Sequence, residues 1–307
     1  MKIFSATLNQ MLVLFAFMAI GYFLNKKKLI SDNTSKVLSK LETYLLLPCI
    51  NFRTFYNNCT KENFMVKSKY ILYGFIVLII TFAFALLISR LFTKETYLRN
   101  IYVYSFTIPN LGFMGNALVL ALFGESVLFD YMMFYLTFSI FIYTYGLYSL
   151  VPKEQGSGFS FKTLLTPPLI AMFFGAAFGL LGIKLPSFIT EIVSSGAACM
   201  SPLAMLIAGF VIGNYSLKKL ASDYKLYIAS AIRLVVIPVL VVIALKFIGT
   251  ESGIVMVSLC ALSLPFGLNT VVFPEAYGGD ATPGAGMALI SHLMALVTIP
   301  LIFAVFM

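Results

Sequence analysis

Apolar residues gather along the chain into ten long runs, at about 5–24, 37–57, 70–92, 98–123, 127–151, 163–182, 188–213, 224–248, 253–277 and 283–306. Each is close to the ~20 residues that a helix needs to cross a bilayer. The segments between them are short and leave no room for a separate aqueous domain. A polar linker containing Gly156-Ser157-Gly158 divides the runs five and five. The predicted fold is therefore an all-α integral membrane protein of ten transmembrane helices. Residues 1–151 form a first five-helix repeat, 152–162 a short linker and 163–307 a second repeat.

Two of the runs are interrupted in a similar way. The fourth contains Pro109-Asn110-Leu111-Gly112-Phe113-Met114-Gly115, and the ninth contains Pro265-Phe266-Gly267-Leu268-Asn269. A proline removes a backbone donor and clashes with the carbonyl four residues back, so a helix breaks there. Inside hydrocarbon, freed backbone groups are tolerated only where protein or a water-lined cavity receives them. Other features recur in the same order. Ala19-Ile20-Gly21 resembles Ala177-Phe178-Gly179, Pro48 matches Pro202, and Pro109 matches Pro265, at separations of 154 to 158 residues. Five spans is an odd number, so the second copy enters the membrane inverted. Broken helices at matching positions of inverted repeats point to a transporter's binding site.

Composition supports this assignment. The chain is 60% hydrophobic and 11% charged, with a mean hydropathy of +0.96, whereas a soluble domain is roughly a quarter charged. The net charge of +9 reflects topology rather than an anionic macromolecular partner, because Lys and Arg gather in cytoplasmic loops. Thirteen basic residues fall on the linker's side and seven on the other, which places the linker in the cytoplasm and both termini outside. The first run is span-length and is followed by Lys26-Lys27-Lys28, a topology anchor rather than a cleavage site. No basic face or motif suggests nucleic acid. The spacing of the four cysteines suggests neither a metal site nor a disulfide framework, and they read as inert thiols.

Among residues that carry chemistry, Asn110 leads. Its amide can donate to a carboxylate, and the half-helix beyond it offers unpaired N–H groups and a positive dipole end; its bland alternative is a helix cap. Asn269 is the counterpart at the second break, its alternative being a helix–helix contact. Gly112 and Gly115 are expected to let backbones approach at the breaks. Pro109, Asn110, Gly112, Pro265 and Asn269 make up the predicted substrate-binding set. Arg233 is an intramembrane charge, expected either to pair with Glu275 or to snorkel to the interface. His292 has the right proton affinity for a relay, with a structural hydrogen bond as its alternative. Glu42 and Glu191 read as interfacial, and the 30 Phe and 17 Tyr as mainly lipid-facing or interfacial. Neither break holds Asp or Glu, which weakens sodium coupling. Nothing suggests a metal, a cofactor or an enzyme's nucleophile–base pair.

The sequence resembles a bacterial member of the auxin efflux carrier family, related in fold to plant PIN carriers and bile acid symporters. The resemblance runs from end to end. It rests on Ile20-Gly21-Tyr22-Phe23-Leu24, Leu47-Pro48, Pro109 to Gly115, Ser201-Pro202-Leu203-Ala204, Arg233-Leu234 with Pro238, Pro265, and Thr298-Ile299-Pro300-Leu301. It implies that helices four and nine cross at their breaks, that small organic anions such as auxin-like or dicarboxylic acids bind beside the crossing, and that a transport part moves against a scaffold. Relatives can dimerise through that scaffold. The function expected is secondary transport, most simply export, in the cell membrane. The alternatives are a sodium- or proton-coupled symporter and a non-transporting ligand sensor.

Overall fold

A computed structural model describes residues 2–31, 33–150, 165–276 and 279–307, the side chains of Leu147, Lys219, Glu275 and Ala276 apart. The linker over 152–162 therefore lies outside the described residues. The described chain is helical, its only β-type pairing being an isolated bridge between Pro109 and Phe266.

The first half consists of α1 (Lys2–Lys26), α2 (Thr34–Leu41), α3 (Leu47–Asn58), α4 (Lys61–Lys67), α5 (Lys69–Ile88), α6 (Thr96–Thr107), α7 (Asn116–Phe141) and α8 (Leu147–Leu150). The second half consists of α9 (Pro167–Leu181), α10 (Ser187–Gly213), α11 (Leu217–Leu220), α12 (Tyr224–Ala231), α13 (Ile237–Phe247), α14 (Ser252–Leu262), α15 (Asn269–Ala276) and α16 (Thr282–Phe306). Four five-residue π-turns join neighbouring pieces: Glu42–Leu46, Leu111–Gly115, Ile142–Gly146 and Ile232–Val236. Two of them directly precede the helices that open with Pro48 and Pro238. The extra residue in the turn relaxes the clash that each proline would make with the preceding turn. These same two turns carry Glu42 and Arg233 into the interior, both with no exposed surface.

Six described stretches are long and apolar enough to cross a membrane: Lys2–Lys26, Lys61–Leu91, Leu111–Leu150, Ser187–Gly213, Tyr224–Phe247 and Thr282–Phe306. Pro167–Leu181 and Ser252–Leu262 are apolar but shorter. The difference from ten continuous runs has local causes. The prolines cut the fourth and ninth runs into pieces of 12, 11 and 8 residues. Gly124, at φ 81° and ψ −177°, turns the chain within α7 between the fourth run and the fifth. Such a backbone is open to glycine and strained for other residues.

Two helix pairs are the most intimate, α1 with α10 and α3 with α9. Each depends on glycine. A Cβ on Gly21 would collide with the Leu206 carbonyl, and one on Gly209 with the Met18 carbonyl. On the other pair, a Cβ at Gly179 would lie 2.9 to 3.0 Å from the carbonyl oxygens of Cys59, Phe55 and Tyr56. Small residues of this kind let membrane helices approach closely. The Lys26 ammonium closes the first pair by donating to the Gly213 and Tyr215 carbonyls, 3.1 and 3.0 Å away, at the end of α10. It is thus a helix cap as well as a basic flank. A second group packs through α5 with α6 and α7, α7 with α14, α14 with α13, and α12 with α16. Three ion pairs, Arg53–Glu125, Lys67–Asp130 and Lys69–Glu251, tie α3, α4, α5, α7 and α14 together.

Candidate functional site

The two breaks meet backbone to backbone. Proline at 109 pushes the residue before it out of the helical region, and Ile108 is extended at φ −108° and ψ 108°. Asn110 then sits at φ −76° and ψ 62°, an inverse γ-turn closed by the Leu111 N–H on the Pro109 carbonyl at 2.8 Å. From that turn the Asn110 N–H reaches across to the Pro265 carbonyl at 2.9 Å. Gly267 fits beneath, where a Cβ would be 3.3 Å from the Pro109 oxygen.

Neighbouring helices receive the groups that the breaks free, as a site away from bulk water requires. Ser291 Oγ on α16 accepts the Phe266 N–H at 3.1 Å. The Tyr131 hydroxyl on α7 donates to the Leu111 carbonyl at 3.0 Å. At the end of α6, the Arg233 guanidinium donates through Nη1 to the Phe106 carbonyl at 3.3 Å. Its Nε and Nη2 are buried without a hydrogen-bond partner. Beside Ser291, His292 Nε2 lies 3.1 Å from Asn110 Nδ2, while its Nδ1 lies 2.7 Å from the Ala288 carbonyl. Asn110 is 2% exposed, and its Oδ1 has no partner.

A cavity of about 90 Å³ opens on one side of the crossing, with room for several waters or a small polar headgroup. Pro109, Asn110 and Gly112 line it from the first break, Gly267 and Asn269 from the second, and Asn51, Tyr135, Tyr143 and Thr166 from the walls. None of the described residues around it carries a formal charge. The N-terminal ends of two half-helices, at Leu111 and Asn269, border it instead. The dipole makes such ends favourable for anions, with the N–H groups of Leu111, Thr270 and Val271 already bonded to the Pro109, Gly267 and Leu268 carbonyls.

The site therefore gathers most of the residues singled out from sequence, with several corrections. Asn110, Pro109, Gly112 and Asn269 line the cavity, whereas Pro265 acts through its carbonyl. Asn269 faces both ways, since its Nδ2 donates to the Tyr104 hydroxyl at 2.9 Å. Gly112 is not needed for close approach, because a Cβ there would meet only Leu47 at 4.0 Å. Gly115 is needed, being pressed against Tyr131 and Leu264. Arg233 does not snorkel: it is wholly buried and turned to the end of α6. The Glu275 side chain, its expected partner, lies outside the described residues. Glu42 is not exposed at the end of its span; its carboxylate is buried with neither oxygen bonded. Nor are the central aromatics lipid-facing. Tyr102, Tyr104, Tyr131, Phe106, Phe134 and Phe266 are buried; at the crossing the Tyr131 hydroxyl satisfies the Leu111 carbonyl and Phe106 packs edge-on against Phe266. Sequence reasoning passed over Asn51, Tyr135, Tyr143 and Thr166. Asn51 had a usable signal, an amide three residues after Pro48 in an apolar run.

No group of three or more His, Cys, Asp and Glu side chains is placed to hold a metal ion among the described residues. A family model described as "Membrane transport protein" matches residues 6–161 and 156–303. No curated protein matches the chain. That family is one of transport rather than enzymatic proteins, and the helices above fit a multi-pass membrane protein. The chain belongs to this membrane transport protein family, that of the auxin efflux carriers which its sequence resembles.

Proposed function

We propose that this protein is a secondary transporter of small organic anions, such as mono- or dicarboxylic acids, with its substrate site at the crossing of the fourth and ninth helices. One observation carries the reading. Two half-helix N-termini and three asparagines converge on a cavity that holds no fixed negative charge, with the buried Arg233 bonded at the end of α6 that leads into the first break. An anion bound there gains dipole and amide contacts that a cation would not.

The ten runs are read as ten spans in two inverted repeats, 1–151 and 163–307. Support comes from the two intimate pairs. If α1 corresponds to α9 and α3 to α10, then α1 against α10 and α3 against α9 are one contact made twice. Gly21 and Gly179, matched in sequence, each lie against the partner helix's backbone. We take α1, α2, α3, α9 and α10 as a scaffold, and the helices that pack around the crossing as the body that moves past it in an elevator-like step. The cavity lies between these two groups. The linker faces the cytoplasm and both termini the exterior. Membrane potential is sufficient to drive export, one charge being worth about 2.3 kcal/mol per 100 mV.

The test is radiolabelled malate uptake into proteoliposomes under an imposed potential, without sodium or a pH gradient. Potential-driven flux that Asn110→Ala abolishes is the expected result. Absence of flux for malate and for an auxin-like acid under every gradient overturns the carrier reading. Full flux in Asn110→Ala overturns the site.

A further inference from the structure

Asn110 and His292 are bonded in a way that makes the proton on one decide the polarity of the other. His292 Nδ1 is 2.7 Å from the Ala288 carbonyl, which can only accept, so Nδ1 carries a hydrogen. In the neutral ring Nε2 is then an acceptor. The group facing it from Asn110 is accordingly the NH2, at 3.1 Å. That leaves Oδ1 of Asn110, a buried atom of a residue that lines the cavity, as the atom with no partner. An unpartnered carbonyl oxygen at this place suits a donor and repels a carboxylate. Adding a proton to Nε2 reverses the arrangement. Both ring nitrogens become donors, the amide turns over so that Oδ1 accepts from Nε2–H, and the NH2 is released to donate to a carboxylate.

We propose that His292 is a positioning residue that couples one proton to each bound substrate anion by turning over the Asn110 amide. This rests on the anion-carrier reading and adds a coupled ion to it: malate with one proton keeps one negative charge that the potential still drives, while a monocarboxylate moves as a neutral pair. Either occupied state holds one proton with one carboxyl group: a neutral imidazole with a carboxylic acid whose O–H donates to Oδ1, or an imidazolium with a carboxylate held by the NH2. Moving the proton between substrate and Nε2 conserves charge and needs no other reactant.

The surrounding charges favour the coupling. Among groups on elements packed against α16, Lys2 and Lys26 stand at the ends of α1, Arg99 on α6, Lys225 on α12, Lys218 on α11, and Glu191 on α10. Tyr102 and Tyr104 of α6 are buried, Tyr104 accepting from Asn269. The Glu275 side chain on α15 lies outside the described residues. Arg233 is therefore the only buried formal charge described on those elements. A second cation on His292 needs an anion to offset it, and by linkage the anion and the proton strengthen each other's binding equally.

His292 is the sole histidine, so isotope-labelled histidine gives a single imidazole signal in the full chain in lipid nanodiscs. The expected tautomer without ligand, at about pH 8, is Nδ1–H with bare Nε2. Malate, ionised throughout at about pH 6.5 to 8, should raise the doubly protonated fraction at fixed pH and take up one proton per malate bound. Its affinity should fall about tenfold per pH unit above the titration. Asn110→Asp, which can only accept from Nε2–H, should hold the ring doubly protonated without malate. His292→Gln should bind malate with no proton uptake and a flat pH profile. An Nε2–H tautomer, malate binding that leaves the imidazole unmoved, or an unchanged pH slope in His292→Gln overturns the proposal while leaving the carrier. Absence of binding at any pH by malate and by an auxin-like acid overturns it together with the carrier reading on which it rests.

Discussion

Replacing Arg233 by methionine should make the protein more stable and less active. The side chain is wholly buried, with one long bond of 3.3 Å to Phe106 and with Nε and Nη2 unpartnered. Each orphaned buried donor costs about 1–3 kcal/mol. Arg233→Met removes both and fills a similar volume. It also frees the Phe106 carbonyl, at a cost of about 1–3 kcal/mol for one unsatisfied group. The balance is a gain of about 1–3 kcal/mol, in line with other buried charges replaced by hydrophobic residues. On the proposed function the charge would serve as the counter-charge that draws an anion to the crossing. Thermal unfolding in detergent at equal protein concentration reads the first effect, and malate flux in proteoliposomes the second. Arg233→Met that unfolds at a lower temperature, or that carries malate at the wild-type rate, refutes the reasoning.

Other predictions follow from the same contacts. Gly21→Ala drives a methyl into the Leu206 backbone and should cost about 1–3 kcal/mol through overpacking; Gly112→Ala has ordinary contacts and should unfold within a degree or so of wild type. Arg53–Glu125 joins α3 to α7 across the proposed boundary between scaffold and moving body, so Arg53→Ala should shift the balance of conformations read by crosslinking. Lys69–Glu251 lies within one body, with 63% of the Glu251 side chain exposed, so Lys69→Ala should change stability by less than about 1 kcal/mol, and less in high salt. Cys59, in the connection after α3, is buried, and burial pushes its thiol above the ordinary range; with little thiolate present, it should react with maleimide far more slowly at about pH 8 than a free thiol, and faster as pH rises.

How much of this was legible in the sequence depended on the residue type. Pro109 and Pro265 announced the breaks because proline acts through the backbone, whatever surrounds it. Asn110 stood out because an amide in hydrocarbon must find a partner. The orientation of the other side chains was not legible, for a reason particular to membranes. Lipid tails are as apolar as a protein core, so both faces of a span are greasy and periodicity does not separate Tyr131 or Phe134 from a lipid-facing ring. The inward turn of the Glu42 and Arg233 side chains was not legible for a second reason. Each lies in a π-turn just before a proline-opened helix, and that extra residue rotates the side chain away from where a regular helix would carry it. His292 was noticed, yet its bond to Asn110 spans 182 positions, which no local pattern encodes.

If the crossing is the substrate site, it is reached in turn from the two sides of the membrane. Gly112→Cys tests it directly, since a side chain at this wall of the cavity meets only Leu47. Of the native cysteines, Cys49, Cys59 and Cys260 are buried and Cys199 is exposed, so a Cys199→Ser background isolates the new thiol. A membrane-impermeant reagent applied in turn to each face of oriented vesicles should label it from both faces, and malate should slow that labelling unless Asn110 is also changed to alanine. Labelling from one face alone, or labelling indifferent to malate in vesicles that carry malate, would contradict the account.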